Sequence, residues 1–568
     1  MSIPRPGGRI LVDQLRRHGV ARVFGVPGES YLALLDALYD APQPEFIVCR
    51  MEAGAANMAC AHGQLTGSPG ICIVTRGPGA AHAAVGVHTA RQGSVPMILL
   101  VGQVPRGHRD REAFQEVDIE AMFTPLAKWT ATIDDPARIP EYLARAVRVA
   151  TAGRPGPVVL ALPEDMLEQT AEVAETGDAA HGDGAVAGSG NGAGAAGGRG
   201  GPAPAPAAVA RARDLVAGAQ RPLMIAGGGG WSAAATENVT ALAQSWSLPV
   251  ATAFRCQDYI DNRAPVYAGA LGLGMDPRLA RRAADADVLL VIGARLDEPT
   301  TGGYTVIEAP RPHQALIHVH ADPDEVGAVF QPALGIVAGA TEFAAAALAL
   351  EAPASARWAD WTRAAGEDVR AFKRPSAGPA PVGGIDLAAG IAELCASVDQ
   401  GTIVTNGAGN YTLWAHRYWT FARYGTQLGP VSGAMGYGVP AGIAAKLAHP
   451  DRPVLSFNGD GCFLMCGQEL ATAVRHRAGV VFVVIDNGSY GTIRMHQERR
   501  YPGRPVATDL VNPDFVAYAR SFGVDATSVT DTGAFVTAVR SGLAAGRPAL
   551  IHVPVSPDVL TPPRADPS

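Results

Sequence analysis

The sequence predicts an α/β protein of three doubly wound parallel-sheet domains, and three observations predict it. Short β-branched runs alternate with Ala-rich stretches of helical length along the whole chain. The runs are apolar throughout instead of alternating with polar residues, which marks strands covered on both faces. Two stretches poor in large apolar residues, 177–208 and 373–384, cut the 568 residues into blocks of single-domain size. The blocks are expected at 1–176, 209–372 and 385–568.

In the first block, residues 46–50, 70–74, 96–101 and 157–162 read as strands, and 51–65 (MEAGAANMACAHGQL) as a small-residue helix. Strands of the second block are expected at 223–226, 288–292 and 316–319. Those of the last fall at 403–405, 454–457 and 480–485, with a helix from Cys462 to Val474 carrying Phe463, Leu464, Leu470 and Ala471. The stretch 177–208 is almost wholly Gly, Ala and Pro, cannot bury enough surface to offset its ordering entropy, and reads as a flexible linker.

Composition removes several function classes. Hydrophobic residues at 48% and charged ones at 17% suit a soluble chain with ample core, and a net charge of −7 without a basic run argues against nucleic acid or an anionic membrane surface. The longest apolar runs are strand-length, far short of a membrane span, and the first residues lack a signal core. Seven cysteines without metal or disulfide spacing imply reduced thiols and a cytoplasmic location; Cys462 and Cys466, four apart, read as core packing on one helical face.

Ligands of parallel sheets gather at the carboxyl ends of strands, and the richest chemistry lies there. The turn Asn458-Gly459-Asp460-Gly461 leaves one strand, and the next strand ends in Asp486-Asn487, with Asn487 27 positions after Asp460. Gly459 and Gly461 let the backbone approach a phosphate, and the helix from Cys462 turns its first N–H groups and its dipole toward an anion. The stretch offers no lysine, so a divalent cation is needed to neutralise a diphosphate, and few hard oxygen ligands suit Mg2+. The Asp460 carboxylate, the Asn487 side-chain oxygen and the Ser489 carbonyl are the expected metal ligands. Gly-Asp-Gly alone also arises in unrelated turns; the spacing and the intervening helix and strand favour the metal site.

Together with Arg50-Met51-Glu52-Ala53-Gly54-Ala55, these motifs resemble the thiamine diphosphate enzymes of acetolactate synthase type. Further landmarks of the resemblance are Phe24-Gly25-Val26-Pro27-Gly28, Gly77-Pro78-Gly79-Ala80, Ala113-Phe114-Gln115-Glu116, Gly293-Ala294-Arg295-Leu296-Asp297 and Ser432-Gly433-Ala434-Met435-Gly436. The resemblance implies an aminopyrimidine-binding first domain, a Rossmann-like central domain and a last domain for diphosphate and Mg2+. It makes Glu52 the acid that keeps the pyrimidine protonated and Met435 the wedge that bends the coenzyme. Phe114 and Gln115 would line the substrate pocket. Pro27, Gly28, Gly77, Asn410, Tyr411, Gly433, Gly459, Gly461 and Cys462 would surround the cofactor, while Arg76, Arg494 and His496 are polar candidates for a substrate carboxylate or for structural roles.

The resemblance further implies a 2-keto acid substrate, pyruvate by default, with decarboxylation followed by carboligation. It also implies a homodimer or homotetramer whose sites combine Glu52 of one subunit with the metal end of another. Alternatives on the same cofactor are a non-ligating decarboxylase, an aldehyde-lyase and an acyl transferase; from a different class, a non-catalytic nucleotide-binding protein. Three departures stand out. Asp486 occupies a position usually Asn, Thr405 to Tyr411 lacks the expected Gln-His pair, and Glu298-Pro299, His320 and Ala340 replace residues that accompany FAD. Gly227 to Gly230 therefore reads either as an FAD site or as a vestigial nucleotide pocket.

Overall fold

The computed structural model describes residues 4–174, 200–354, 357–375 and 384–563. Most of the expected linker 177–208 lies outside these, as does most of 373–384. The parts that are described depart from the linker reading. The helix Pro206–Ala217 already begins inside the first stretch, with proline at its first turn where a missing N–H costs nothing. In the second, Lys373 is anchored, its ammonium donating to the Trp419 carbonyl at 2.8 Å and to Asn262 Oδ1 at 3.2 Å.

The described residues form three six-stranded sheets, all parallel, and a small antiparallel pair between Arg5–Pro6 and Thr170–Ala171. The chain divides into two compact units: Met1–Gly198 with Val439–Asp451 and Cys466–Ala478, and Arg199–Gly438 with Arg452–Met465 and Gly479–Ser568.

The first unit holds one sheet, in spatial order Glu45–Val48, Arg22–Gly25, Gly70–Val74, Met97–Gln103, Pro157–Pro163 and Trp129–Thr132. Numbered along the chain this order is 2-1-3-4-6-5, so the topological switch point lies between the first and third strands. Its central strands Gly70–Val74, Met97–Gln103 and Pro157–Pro163 are buried end to end, which is why their sequences are unbroken apolar runs.

The second unit holds two sheets. Strands Tyr267–Ala270, Val250–Thr252, Pro222–Ala226, Val288–Ile292, Ala315–His320 and Leu334–Val337 run in the order 3-2-1-4-5-6, the dinucleotide-fold order. Strands Gln427–Leu428, Ile403–Asn406, Val454–Gly459, Val480–Asp486, Ala549–Pro554 and Asp525–Ser528 repeat the 2-1-3-4-6-5 order of the first sheet.

One expected element is broken. Cys462 to Val474 is not one helix but a short helix Asp460–Phe463, a 3-10 turn Gly467–Glu469 and a helix Leu470–Arg475. Cys466, with φ −139° and ψ 21°, leaves the helical region at the point where the chain passes from the second unit into the first. Cys462 and Cys466 therefore share no helical face, although both are buried and all seven cysteines are free thiols. Among the described residues no helix is long and apolar enough to cross a membrane.

Candidate active site

In the first unit the strand Glu45–Val48 runs through an extended Met51 into the helix Glu52–Thr66, so Glu52 sits at the carboxyl end of the sheet. Its side chain is only 14% exposed, and Oε2 lies 3.0 Å from Nδ1 of His82 on the neighbouring helix Gly77–Gly93. Oε1 lies 3.5 Å from where a Cβ on Gly79 would stand, an ordinary contact distance.

The turn before Glu52 is held by a second acid. The buried Glu469 accepts the N–H groups of Arg50 and Met51 through Oε1, both at 3.0 Å, and the Thr472 hydroxyl through Oε2 at 2.5 Å. Burial pushes this carboxyl above its usual range, against the pull of those donors.

The loops carrying Pro27-Gly28 and Gly77 leave the first and third strands, on either side of the switch point. Ser30 Oγ and Thr75 Oγ1, 2.9 Å apart, tie the two loops together, and the Gly77 N–H bonds the Gln115 carbonyl at 3.0 Å. Gln115, at φ +63°, lines an open cleft of about 800 Å³ with Gln103, Arg109 and Glu116. Phe114, the residue before Gln115, is 76% exposed. Arg76 is already engaged, by Glu164 at 2.6 Å and the Phe114 carbonyl at 3.3 Å.

In the second unit the other expected residues follow strands one to four of the last sheet. Tyr411, Cys462 and Gly436 interlock. The Tyr411 hydroxyl donates to Cys462 Sγ at 3.3 Å and accepts the Gly407 N–H at 3.0 Å, and the Gly436 N–H meets Cys462 Sγ at 3.2 Å. This fixes the loop on which Met435 packs, half-buried, against the core, while Gly433 at φ +69° faces open space. The Asn410 N–H donates to Thr492 Oγ1 at 2.9 Å, and Gly459 and Gly461 press against the rings of Tyr411 and Tyr490. Arg494 lies 3.6 Å from Asp558, and His496 is exposed.

Asp460 is 3% exposed, and its Oδ2 accepts Nδ2 of Asn512 at 2.8 Å. The same Nδ2 reaches Asp486 Oδ1 at 2.8 Å, and Asp486 Oδ2 lies 3.1 Å from Nε2 of His552. Burial raises the Asp460 carboxyl. Burial also pushes Asp486 up, but the His552 ring and the Gly488 N–H outweigh it and hold that carboxyl below the usual range. Asn487 Oδ1 accepts the Ser489 N–H at 3.2 Å, the Ser489 carbonyl accepts the Gly491 N–H at 2.8 Å, and Ser489 Oγ is buried without a partner. Each of these oxygens keeps a further lone pair. Among the described residues no three of His, Cys, Asp and Glu converge on a metal, so a cation here relies on one carboxylate with amide and carbonyl oxygens. A buried carboxylate with no cationic partner of its own, beside neutral hard oxygens, fits Mg2+.

In the central sheet the loop Gly227 to Gly230 is tightly packed. Gly228 stands at φ +85°, so close to the Gly293 carbonyl that a side chain would collide with it, and the Gly228 carbonyl accepts the Tyr259 hydroxyl at 2.8 Å. Trp231 stacks on Tyr259 at 4.8 Å between centroids, and its carbonyl accepts the Tyr424 hydroxyl at 2.8 Å. The glycine loop is thus packed against the Gly293 carbonyl and tied to the Tyr259 hydroxyl.

His82, Glu469, Asn512 and His552 are absent from the sequence-based site. Each reaches its partner through tertiary contacts, as with Glu469 and Arg50, 419 positions apart, and no local motif announces them.

Comparison with known sequences accounts for this layout. The chain matches the N-terminal thiamine pyrophosphate (thiamine diphosphate) binding domain of thiamine pyrophosphate enzymes over residues 5–122, their central domain over 209–347 and their C-terminal binding domain over 407–553. These matches, one on each sheet, define a thiamine pyrophosphate enzyme. It is 33% identical to the acetolactate synthase large subunit of Parasynechococcus marenigrum, over 97% of this chain and 87% of that protein. It is also 30% identical to a probable acetolactate synthase large subunit of Methanocaldococcus jannaschii (97% and 92% covered) and 28% identical to acetolactate synthase isozyme 2 large subunit of Escherichia coli (97% and 95%). The chain belongs to the acetolactate synthase-like family of thiamine diphosphate-dependent enzymes.

Proposed function

We propose that the enzyme uses thiamine diphosphate and Mg2+ to decarboxylate a 2-keto acid, pyruvate by default, and to join the remaining carbon unit to a second carbonyl compound. The observation that carries this reading is the likeness to acetolactate synthase large subunits over 97% of the chain, with Glu52, Asp460 and Asn487 all present at strand ends.

Glu52 holds a proton for the pyrimidine ring nitrogen, and its shielded position keeps water from competing for it. Asp460, Asn487 and the Ser489 carbonyl hold the cation, and Gly459 and Gly461 admit the diphosphate to the backbone. Met435 sets the bend of the coenzyme, with Pro27, Gly28, Gly77, Asn410, Tyr411, Gly433 and Cys462 around it. Phe114 and Gln115 face the substrate. The coenzyme, when bound, supplies the electron sink for loss of carbon dioxide. Glu52 works with the metal end of another subunit, in a homodimer or homotetramer of the cytoplasm, and the central domain holds either FAD or a vestigial nucleotide pocket.

The test is a panel of 2-keto acids offered to enzyme loaded with thiamine diphosphate and Mg2+, with carbon dioxide and ligation products measured together. Acetolactate from pyruvate is the expected product. Acetaldehyde alone would instead mark a non-ligating decarboxylase, and release of no carbon dioxide from any acid would overturn the reading.

A further inference from the structure

We propose that Asn512 is a positioning residue for the metal end, aiming the Asp460 carboxylate at the cation; this rests on Asp460 being a metal ligand. One amide nitrogen donates both its hydrogens, to Asp460 Oδ2 and to Asp486 Oδ1, each at 2.8 Å. Two carboxylates leave no alternative orientation, because the amide oxygen would face them as a third acceptor.

The far end of the clamp is fixed independently. Asp486 Oδ1 also accepts the Gly488 N–H at 2.9 Å, its Oδ2 meets His552 Nε2, and Nδ1 of that ring lies 3.0 Å from Ser528 Oγ. A continuous chain of bonds therefore runs from the strand Asp525–Ser528 through Ala549–Pro554 and Asp486 to Asn512, and ends on Asp460. The helix that follows Asn512 is capped close by. Two residues on, Asp514 caps the helix Phe515–Ser521 by accepting the Val516 and Ala517 N–H groups at 2.9 Å each.

With Oδ2 tied to Asn512, the rotation of the Asp460 carboxylate is set and the direction of Oδ1 follows. A lysine or arginine in the same place would also orient Asp460, but it would cancel the charge that a cation needs. The neutral amide orients without neutralising. Groups that orient metal ligands in this way typically change affinity 10- to 100-fold.

The experiment measures Mn2+ binding by electron paramagnetic resonance in the presence of thiamine diphosphate, for the wild type, N512A, N512S and D486N, alongside the melting temperature of each metal-free protein. N512A is expected to bind Mn2+ about 10- to 100-fold more weakly with unchanged metal-free melting. N512S, with a single hydroxyl hydrogen, should fall between N512A and the wild type. D486N keeps an acceptor oxygen for Asn512 and should lose less than N512A. Wild-type affinity in both Asn512 variants overturns the proposal. So does an affinity loss matched by a drop in metal-free melting, since a purely structural staple would give that. Absence of Mn2+ binding by the wild type would overturn the metal reading itself, a separately recognisable failure.

Discussion

The first and last sheets share one strand order and place their acids differently. In both, the third strand runs into a Gly-x-Gly turn, Gly77-Pro78-Gly79 in one and Gly459-Asp460-Gly461 in the other. The first opens a helix of 17 residues, Gly77–Gly93, that lies beside an acid delivered from the second strand. After the other the chain forms only Asp460–Phe463, and the acid lies within the turn itself. A parallel sheet thus fixes where a site can be, while the residues at each strand end decide which groups it offers.

The largest effect expected from breaking this pairing is on turnover. E52Q should cut the rate by about 10² to 10⁴-fold, yet keep the rise in melting temperature that Mg2+ and thiamine diphosphate produce together. D460A should abolish that rise, worth about 2.7 kcal/mol at ligand one hundred times above its dissociation constant. Thermal melts with and without the two ligands, beside steady-state rates, separate the two ends; equal loss of the ligand-induced rise in both variants would contradict the division of labour.

Next come the paired glycines. A Cβ at Gly461 would stand 2.6 Å from the Tyr490 ring, whereas at Gly79 it would meet Thr75 Cγ2 at 3.0 Å. G461A should therefore cost about 1–3 kcal/mol by overpacking and G79A less, as read from urea midpoints.

Acid sensitivity gives a further contrast. His62 in the first unit and His416 in the second are buried neutral rings, lowered by burial to about 4 and about 3. The unfolded chain takes up protons near pH 6.5 while the fold resists, so stability falls as pH drops below 6.5. Each ring contributes a slope approaching about 1.4 kcal/mol per pH unit, ending near pH 4 for His62 and near pH 3 for His416. H62Q and H416Q should each flatten the dependence within its own window, measured as urea midpoint against pH. The smallest effect belongs to the half-exposed His82: H82A should change stability by less than about 1 kcal/mol, because a solvent-screened pair contributes little.

Much of this architecture was legible in the chain itself. The strands Gly70–Val74 and Val288–Ile292 fall where the apolar runs place them, since a strand buried on both faces must be apolar throughout. The helix Glu52–Thr66 likewise follows its small-residue run. What escaped was non-local. The break after Phe463 depends on where Glu469 finds its donors, and Asn512 gains meaning only from two carboxylates that folding brings to it. The closure over Gly228 depends on Tyr259 and Tyr424, whose positions no glycine pattern reveals.

Because residues 439–451 and 466–478 belong with the N-terminal sheet, the polypeptide crosses between its two bodies repeatedly. A cleavage anywhere between 174 and 200 would yield an amino-terminal fragment without the carboxylate that secures its own Glu52 turn, and a remainder burdened with orphaned helices.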